Sequence, residues 1–367
     1  MARHIADLEI EGFRALTHLH LPFLSDVNLF VGKNNTGKTT LLEAIRLLLS
    51  KDLRPRVYEL LVDRDEYNLR RSYGSAIRQG DAQNLAYESL FSGRPDLSLL
   101  PVLSIGSSRH GDNLSIRFIW LHPHRGDDAS IRYLPSDGPS DDPEAVPGLE
   151  IIRDGIRGLL PLDRLNRLFT RRLLRDEPQS NVVYLPSSGM TMKDIGELWD
   201  SIALTDDEDT VVKALRIIAP TLEKLVMVQS PVPNGDRMLM AKVQEFRAPV
   251  PFRSLGEGAM HLLSVTLALI RARGGTLLID EVASGIHYSV QPLLWQLVFK
   301  QSAALDIQIF ATTHSWDCVK ALHRADDEDL FQKASLFRLE NKSDHIRAVT
   351  FSSEELSIVA EEGFEIR

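Results

Sequence analysis

The sequence predicts an α/β fold, in which a mixed sheet with flanking helices carries an antiparallel β lobe and a helical insertion. Three observations carry this. The loop Gly32-Lys33-Asn34-Asn35-Thr36-Gly37-Lys38-Thr39 fits G-x-x-x-x-G-K-[ST] at every fixed position. Two apolar runs, Thr276-Leu277-Leu278-Ile279 and Ile307-Gln308-Ile309-Phe310-Ala311, read as buried strands that end in Asp280-Glu281 and in Thr312-Thr313-His314-Ser315. Directly before the first of them, the stretch from Ser254 to Gly258 opens a long apolar helix. Because the glycine-rich loop lies far upstream of the acidic pair, the two ends of the chain must fold together.

In chain order, Ile5 to Glu11 and Thr17 to Leu21 read as paired strands, and the turn between them holds Phe13-Arg14. That pair either approaches a nucleotide base or leaves Arg14 as a surface arginine. An apolar strand (Val27, Leu29, Phe30, Val31) then enters the loop, and a helical period (Leu41, Leu42, Ile45, Leu48, Leu49) leaves it. Glycines at Gly32 and Gly37 let backbone N–H groups, through Asn34, Asn35 and on to Thr40, cradle phosphate oxygens at the positive end of that helix. Lys38 supplies a cation for the β/γ phosphates and the Thr39 hydroxyl a Mg²⁺ ligand.

Beyond that helix, Leu53 to Leu100 is mixed and arginine-rich, and Val102 to Ile105 and Leu114 to Leu121 read as strands of the antiparallel lobe. The Pro-, Ser-, Gly- and Asp-dense stretch from Pro135 to Gly148 predicts a mobile loop. His122 and His124, ahead of Asp127 and Asp128, read either as metal ligands or as loop residues. The chain divides into residues 1–148, the first part of the head with the glycine-rich loop and the lobe, a mainly helical insertion over 149–228, and residues 229–367, which complete the head. Within the insertion, Arg153, Arg157, Arg164, Arg167, Arg171, Arg172 and Arg175 recur at roughly helical spacing. They form either a track for nucleic-acid phosphate or an acidic partner, or a solvated face balanced by Asp154, Asp163 and Asp176. Heptads are not sustained, which excludes a long coiled coil.

Both carboxylates of Asp280-Glu281 should emerge at the carboxyl edge of the sheet, where open α/β sheets bind ligands. There Asp280 would hold Mg²⁺ and Glu281 would polarise an attacking water. His314, at the end of the second strand, either reaches a γ-phosphate or is a hydrogen-bonded core histidine, and its position beside the other elements favours the phosphate. The glycines and serine of Ser254 to Gly258 make another helix N-terminus suited to an anion. Taken alone the stretch reads as a plain N-cap, with Ser254 or the glycines starting the helix. Beside the glycine-rich loop, one subunit does not need two such sites, so this one is expected to cap a phosphate held by the loop of a second copy.

These segments (IEGFRAL, FVGKNNTGKTTLLEAI, SLGEGAMHLL, LLIDEVASGIHYS, QIFATTHSWDC) resemble the ABC-type ATPases related to the OLD nucleases and the SMC/RecF group, and among them the standalone ATPases of bacterial anti-phage systems such as the PARIS type. The resemblance implies an ABC-type P-loop NTPase head using ATP and Mg²⁺. It carries the Walker A role onto Gly32 to Thr39, the signature onto Ser254, Gly256 and Glu257, the Walker B and catalytic-glutamate roles onto Asp280 and Glu281, and the switch histidine onto His314. Ser284-Gly285-Ile286-His287 would be the D-loop, with His287 standing where transporter and SMC heads usually have aspartate. Gln79 and Gln83 are both candidates for a Q-loop and both read equally as exposed amides. After strand-like runs from Ser335 to Leu339 and from Ile346 to Phe351, no TOPRIM nuclease domain follows, so the resemblance implies a nuclease effector in a separate chain.

A net charge of −9 argues against a chain built chiefly to coat nucleic acid, although nucleic acid stays open as a partner. The single cysteine, Cys318, excludes an internal disulfide and fits a cytoplasmic location. No apolar run approaches membrane-spanning length. The expectation is therefore an ATPase that forms a homodimer or higher homo-oligomer, with no membrane partner. A scaffold that binds ATP with negligible turnover, or a DNA-repair head of the RecF kind, are the alternatives.

Overall fold

Val27–Val31 (β3) has no exposed position, and a strand buried on both faces must be central in a sheet covered on both sides. The computed structural model, which describes residues 5–67, 85–107, 113–125, 131–138, 141–162, 182–231, 237–325, 334–342 and 345–351, places it so. Strand order in this sheet is β16-β15-β3-β14-β13-β9, where β9 is Val182–Leu185, β13 Thr276–Ile279, β14 Gln308–Thr313, β15 Ala334–Lys342 and β16 His345–Phe351. All strands from β15 to β9 run parallel, and β16 returns antiparallel to β15. Asn28, the one polar residue of β3, is fully buried but satisfied: its amide donates to the carbonyls of Ser25 and Ile309 at 2.7 and 3.2 Å.

Side chains alternate across the sheet and so divide the molecule into two cores. Leu29, Leu277, Ile279, Ile309 and Ala311 face one of them. Its helices are α5 (Glu257–Arg271), α6 (Gln291–Leu305) and α7 (Trp316–Arg324). A three-stranded sheet (β10 Leu222–Val228, β11 Met238–Val243, β12 Val250–Pro251) with α3 (Met192–Ile202) and α4 (Asp206–Leu215) continues the same core. Phe30, Leu278, Phe310 and Phe337 point to the other face, where α1 (Lys38–Leu49) and α2 (Leu53–Val62) cover them. Phe30 stacks between Phe337 and Phe310, at centroid distances of 5.3 and 6.4 Å.

The antiparallel lobe closes over this second core. Its order is β2 (Leu16–Leu21), β1 (Leu8–Phe13), β4 (Val102–Gly106), β5 (Asn113–Arg125), β7 (Val146–Arg153) and β8 (Ile156–Pro161), with β6 (Ile131–Ser136) also on β5. No helix of the described residues is long and apolar enough to cross a membrane.

Several expectations are corrected. The described residues of 149–228 are not mainly helical. Leu149 to Pro161 belongs to the hairpin β7–β8, Val182–Leu185 is a strand of the central sheet, and Leu222–Val228 is a strand, which leaves α3 and α4 as the α-helices described there. The hairpin forms because Asp154-Gly155 supplies two successive positive-φ residues (51° and 78°), the two-residue turn that matches strand twist. Arg153 and Arg157 therefore sit on strands: Arg153 donates to the carbonyls of Leu47 and Ser50 at the end of α1, and Arg157 to Glu150 at 2.5 Å. Arg164, Arg167, Arg171, Arg172 and Arg175 lie outside the described residues, as do Gln79 and Gln83.

Arg14 is not a surface arginine, nor does Phe13 reach outward. Phe13 is fully buried, and Arg14, a residue only 7 % exposed, pairs its guanidinium with Glu43 and Glu66 and donates to the Leu60 carbonyl. The stretch from Pro135 to Gly148 is partly strand, since β6 runs through Ser136 and β7 begins at Val146. Within it the Asp142 carboxylate is bound by His122 Nδ1 at 2.8 Å and by Ser136 Oγ at 2.9 Å. His122 thus pairs with Asp142, while Asp127 and Asp128 lie outside the described residues.

Candidate functional site

Three neighbouring parallel strands, β3, β14 and β13, end at one edge of the sheet, and each delivers a different group there. From β3 comes the glycine-rich loop. A Cβ on Gly32 would lie 2.5 Å from the Leu339 carbonyl oxygen, and one on Gly37, at φ 83°, 2.7 Å from Ile346 Cδ1, so β15 and β16 press the loop into a shape that only glycine permits. Asn34 and Asn35 stand exposed at its tip, with Asn35 at φ 63°. Lys38 turns back: its ammonium donates to the carbonyls of Gly32 and Lys33 at 2.8 and 3.0 Å. Burial pulls its pKa down, against the opposing pull of Glu281 and Asp280.

Thr39 follows at the start of α1, and its hydroxyl donates to Asp280 Oδ2 at 3.0 Å. The other oxygen, Oδ1, accepts from Thr312 Oγ1 at 2.6 Å. Thr312 in turn accepts the backbone N–H of Glu281 at 2.9 Å, so one fully buried hydroxyl on the middle strand fixes both members of the acidic pair. Glu281 has φ 55°, and the chain bends there as the Val282 N–H returns to the Thr312 carbonyl at 3.0 Å. Its Oε2 accepts both the His314 backbone N–H, at 3.2 Å, and a hydrogen bond from His314 Nδ1, at 2.8 Å. The His314 side chain is otherwise 59 % exposed. Thr40, one residue on, accepts from Arg64 at 3.2 Å, and the same guanidinium donates through Nε to Glu43 at 2.8 Å.

Lys38, Thr39, Asp280, Glu281 and His314 are therefore brought together, whereas Ser254, Gly256 and Glu257 lie elsewhere in the chain. Gly256 caps α5 at φ 99°, with Ser254 and Glu257 exposed beside it. A cleft of about 500 Å³ here is lined by Arg253, Glu257, His261, Ser187 and Ser284, with no residue of the glycine-rich loop. Gly258 packs so closely on the loop after β13 that a Cβ would stand 2.6 Å from the Gly285 carbonyl oxygen. His261 bonds the Val282 carbonyl through Nε2 at 3.0 Å, and burial pushes its pKa down, so the neutral ring donates there. His287 bonds Ser289 at 2.8 Å and lies against the exposed Tyr288 ring.

Two features escape a reading of the sequence by motif. Thr312 carries the bridge between the carboxylates, and its only signal is a pair of hydroxyl residues closing an apolar strand. The group Arg14, Glu43, Glu66 and Arg64, which braces α1 from beneath, joins residues remote in sequence and has no local signal.

A glycine-rich loop, an acidic strand end and a histidine strand end on adjacent parallel strands, beneath an antiparallel lobe, define a P-loop NTPase head of the ABC and SMC type. Solved SMC heads share the fold. The Smc head with coiled coil and joint from Pyrococcus yayanosii aligns with a TM-score of 0.52 at 9 % identity, over 99 % of this chain and 100 % of that one. The Pyrococcus furiosus Smc head bound to the C-terminal domain of ScpA aligns with a TM-score of 0.50 at 12 % identity, over 99 % and 100 %. A Helicobacter pylori (strain ATCC 700392 / 26695) protein named ATP/GTP phosphatase is 21 % identical over 382 residues, 96 % of each chain. Residues 27–317 match the family described as AAA domain, putative AbiEii toxin, Type IV TA system. The chain belongs to that AAA-domain family, and it is an ATPase.

Proposed function

We propose that the protein is a Mg²⁺-dependent ATPase whose ATP-bound homodimer works as a switch, and that it serves anti-phage defence beside a separate TOPRIM-type nuclease, as the resemblance to OLD-related ATPases suggests. The observation that carries the catalytic part is the chain Thr39–Asp280–Thr312–Glu281–His314, in which every link is a hydrogen bond of 3.0 Å or less. The hydroxyl of Thr39 and the carboxylate of Asp280 are hard oxygen donors side by side, which fits Mg²⁺. When bound, the ion would neutralise charge on the β- and γ-phosphates.

The rest is the chain's own work. Loop N–H groups and Lys38 hold the phosphates, and the ammonium exchanges the carbonyls of Gly32 and Lys33 for phosphate oxygen. Glu281 accepts a hydrogen bond from the attacking water and orients it in line with the γ-phosphorus. His314 fixes the Glu281 carboxylate and, with its other ring nitrogen toward solvent, is placed to meet the γ-phosphate. Ser254, Gly256 and Glu257 sit apart from this group in their own chain, which supports a role in capping the nucleotide of a second copy.

Glu281→Gln tests the reading. Glutamine keeps size and a hydrogen-bonding oxygen but loses the carboxylate, so ATP should bind, remain uncleaved and raise the dimer fraction in light scattering. Wild-type turnover in that variant would exclude Glu281 as the water-orienting group.

A further inference from the structure

On the outer face of the β1–β2 hairpin, strand register sets Glu9 opposite His20 and Glu11 opposite His18. Because side chains of one strand face the same side at every second residue, all four belong to one face, opposite the buried Leu8, Ile10, Leu19 and Leu21. Directly opposed residues have Cβ atoms about 4.5–5.5 Å apart, within reach of a shared ion. One ligand atom from each of Glu9, Glu11 and His18 already lies within 4.8 Å of the others, and His18 Nδ1 is 3.5 Å from Glu11 Oε1. The edges of a tetrahedral Zn²⁺ site measure about 3.3 Å, so the ligand atoms need to draw in by about an ångström or less.

Two carboxylates alone would make only an acidic surface; the imidazoles across from them make a mixed donor set. The adjoining cleft, of about 410 Å³, adds a separate argument. It is bounded by Glu9, Glu11 and Asp154 and has no Lys or Arg among its described lining residues, so its negative charge lacks a counter-ion from the lining. Ser104 Oγ also donates to Glu11 Oε2 at 3.3 Å, steadying that carboxylate from β4.

We propose that Glu9, Glu11, His18 and His20 form a binding site for a borderline divalent transition-metal ion, with Zn²⁺ the representative. Imidazole with carboxylate suits Zn²⁺, while Mg²⁺ prefers an all-oxygen octahedron. An ion here joins β1 to β2 beside the turn that carries Arg14 into the Glu43–Glu66 pair. It therefore staples the hairpin that braces α1. The proposal is independent of the catalytic assignments above.

The test titrates the full chain, free of any polyhistidine tag, with Zn²⁺ in excess Mg²⁺, which occupies hard oxygen sites such as that at Asp280. A parallel titration with Co²⁺ is followed by visible absorption. The expected result is one Zn²⁺ per chain, with affinity reduced roughly tenfold or more in both His18→Ala and Glu11→Gln, and loss of the Co²⁺ bands in the same variants. Both side chains are exposed, so each variant should melt like wild type without metal; if one does not fold, Glu9→Gln is read in its place. Zn²⁺ affinity unchanged in either folded variant, or no stoichiometric binding to the wild-type chain, overturns the proposal.

Discussion

Thr312 is the residue on which the acidic edge depends, because its single hydroxyl accepts from one neighbour and donates to the other. Thr312→Val keeps the volume and removes both bonds, leaving the Glu281 N–H without its acceptor and Asp280 Oδ1 without its donor, while Oδ2 keeps the Thr39 hydroxyl. A loss of about 1–3 kcal/mol in stability is expected from the unsatisfied groups, with turnover reduced more than nucleotide affinity. Thr312→Ser should restore most of both, and equal behaviour of the two variants in denaturation and phosphate release would show that the hydroxyl is idle. His261 predicts a pH effect. Its folded pKa lies below the ordinary 6.5, so the unfolded chain binds the proton more readily; the contribution is intact above 6.5 and is lost as pH falls from 6.5 toward the lowered value. Between pH 7.5 and 5.5 this group alone can remove up to about 1.4 kcal/mol. Melting followed across that interval should be less acid-sensitive in His261→Gln, and an identical acid slope would exclude His261 as the source.

At the scale of elements, the α5 N-terminus and the loop after β13 are held together by the contact of Gly258 with Gly285. Gly258→Ala places a methyl 2.6 Å from a backbone oxygen, which cannot move as a flexible side chain could. The α5 N-terminus must therefore shift, and turnover should fall several-fold or more while ATP still binds at the undisturbed glycine-rich loop; lost ATP binding in a folded variant would instead tie α5 to the primary nucleotide site. The elements that build this site were legible where chemistry and pattern coincide. The glycine-rich loop, the strands before Asp280 and His314, and the helix after Gly256 each announce themselves by an apolar run meeting a special residue. Residues 149–161 did not, because arginines at Arg153 and Arg157 imitate a helical period in charge while the apolar residues of Leu149 to Ile152 and the Asp154-Gly155 turn specify a hairpin. Apolar periodicity and turn chemistry decide secondary structure; charge spacing on an exposed face does not. Strand β9 is only four residues long and far in sequence from its partner β13, so its place beside Asp280, whose N–H bonds the Leu185 carbonyl, comes from tertiary pairing. Arg14 was misplaced for a related reason, since what buries it are Glu43 and Glu66 on other elements.

For the whole molecule the question is whether one chain can complete its own site. Within a chain, Lys38, Thr39, Asp280, Glu281 and His314 converge at the sheet edge, while Ser254, Gly256 and Glu257 occupy a different cleft, next to Ser284 and Gly285. If that second group serves a partner, damage to it must act across the interface. Ser254→Arg sets a long cation at an exposed position and so should block closure without unfolding the chain or weakening ATP binding at Lys38. Lys38→Ala should fail in the complementary way, losing nucleotide but keeping an intact α5 N-terminus. In a mixed dimer both lesions fall on one composite site, and the other site joins the sound glycine-rich loop of one subunit to the sound α5 N-terminus of the other. Equal mixing gives heterodimers as about half the population, so about one quarter of wild-type ATP turnover should return if the two sites act independently. Action within one chain predicts no recovery, because each subunit then carries its own lesion. Phosphate release from mixtures whose heterodimers are verified by native mass spectrometry distinguishes the two, and absence of recovery there would assign the α5 N-terminus to its own subunit.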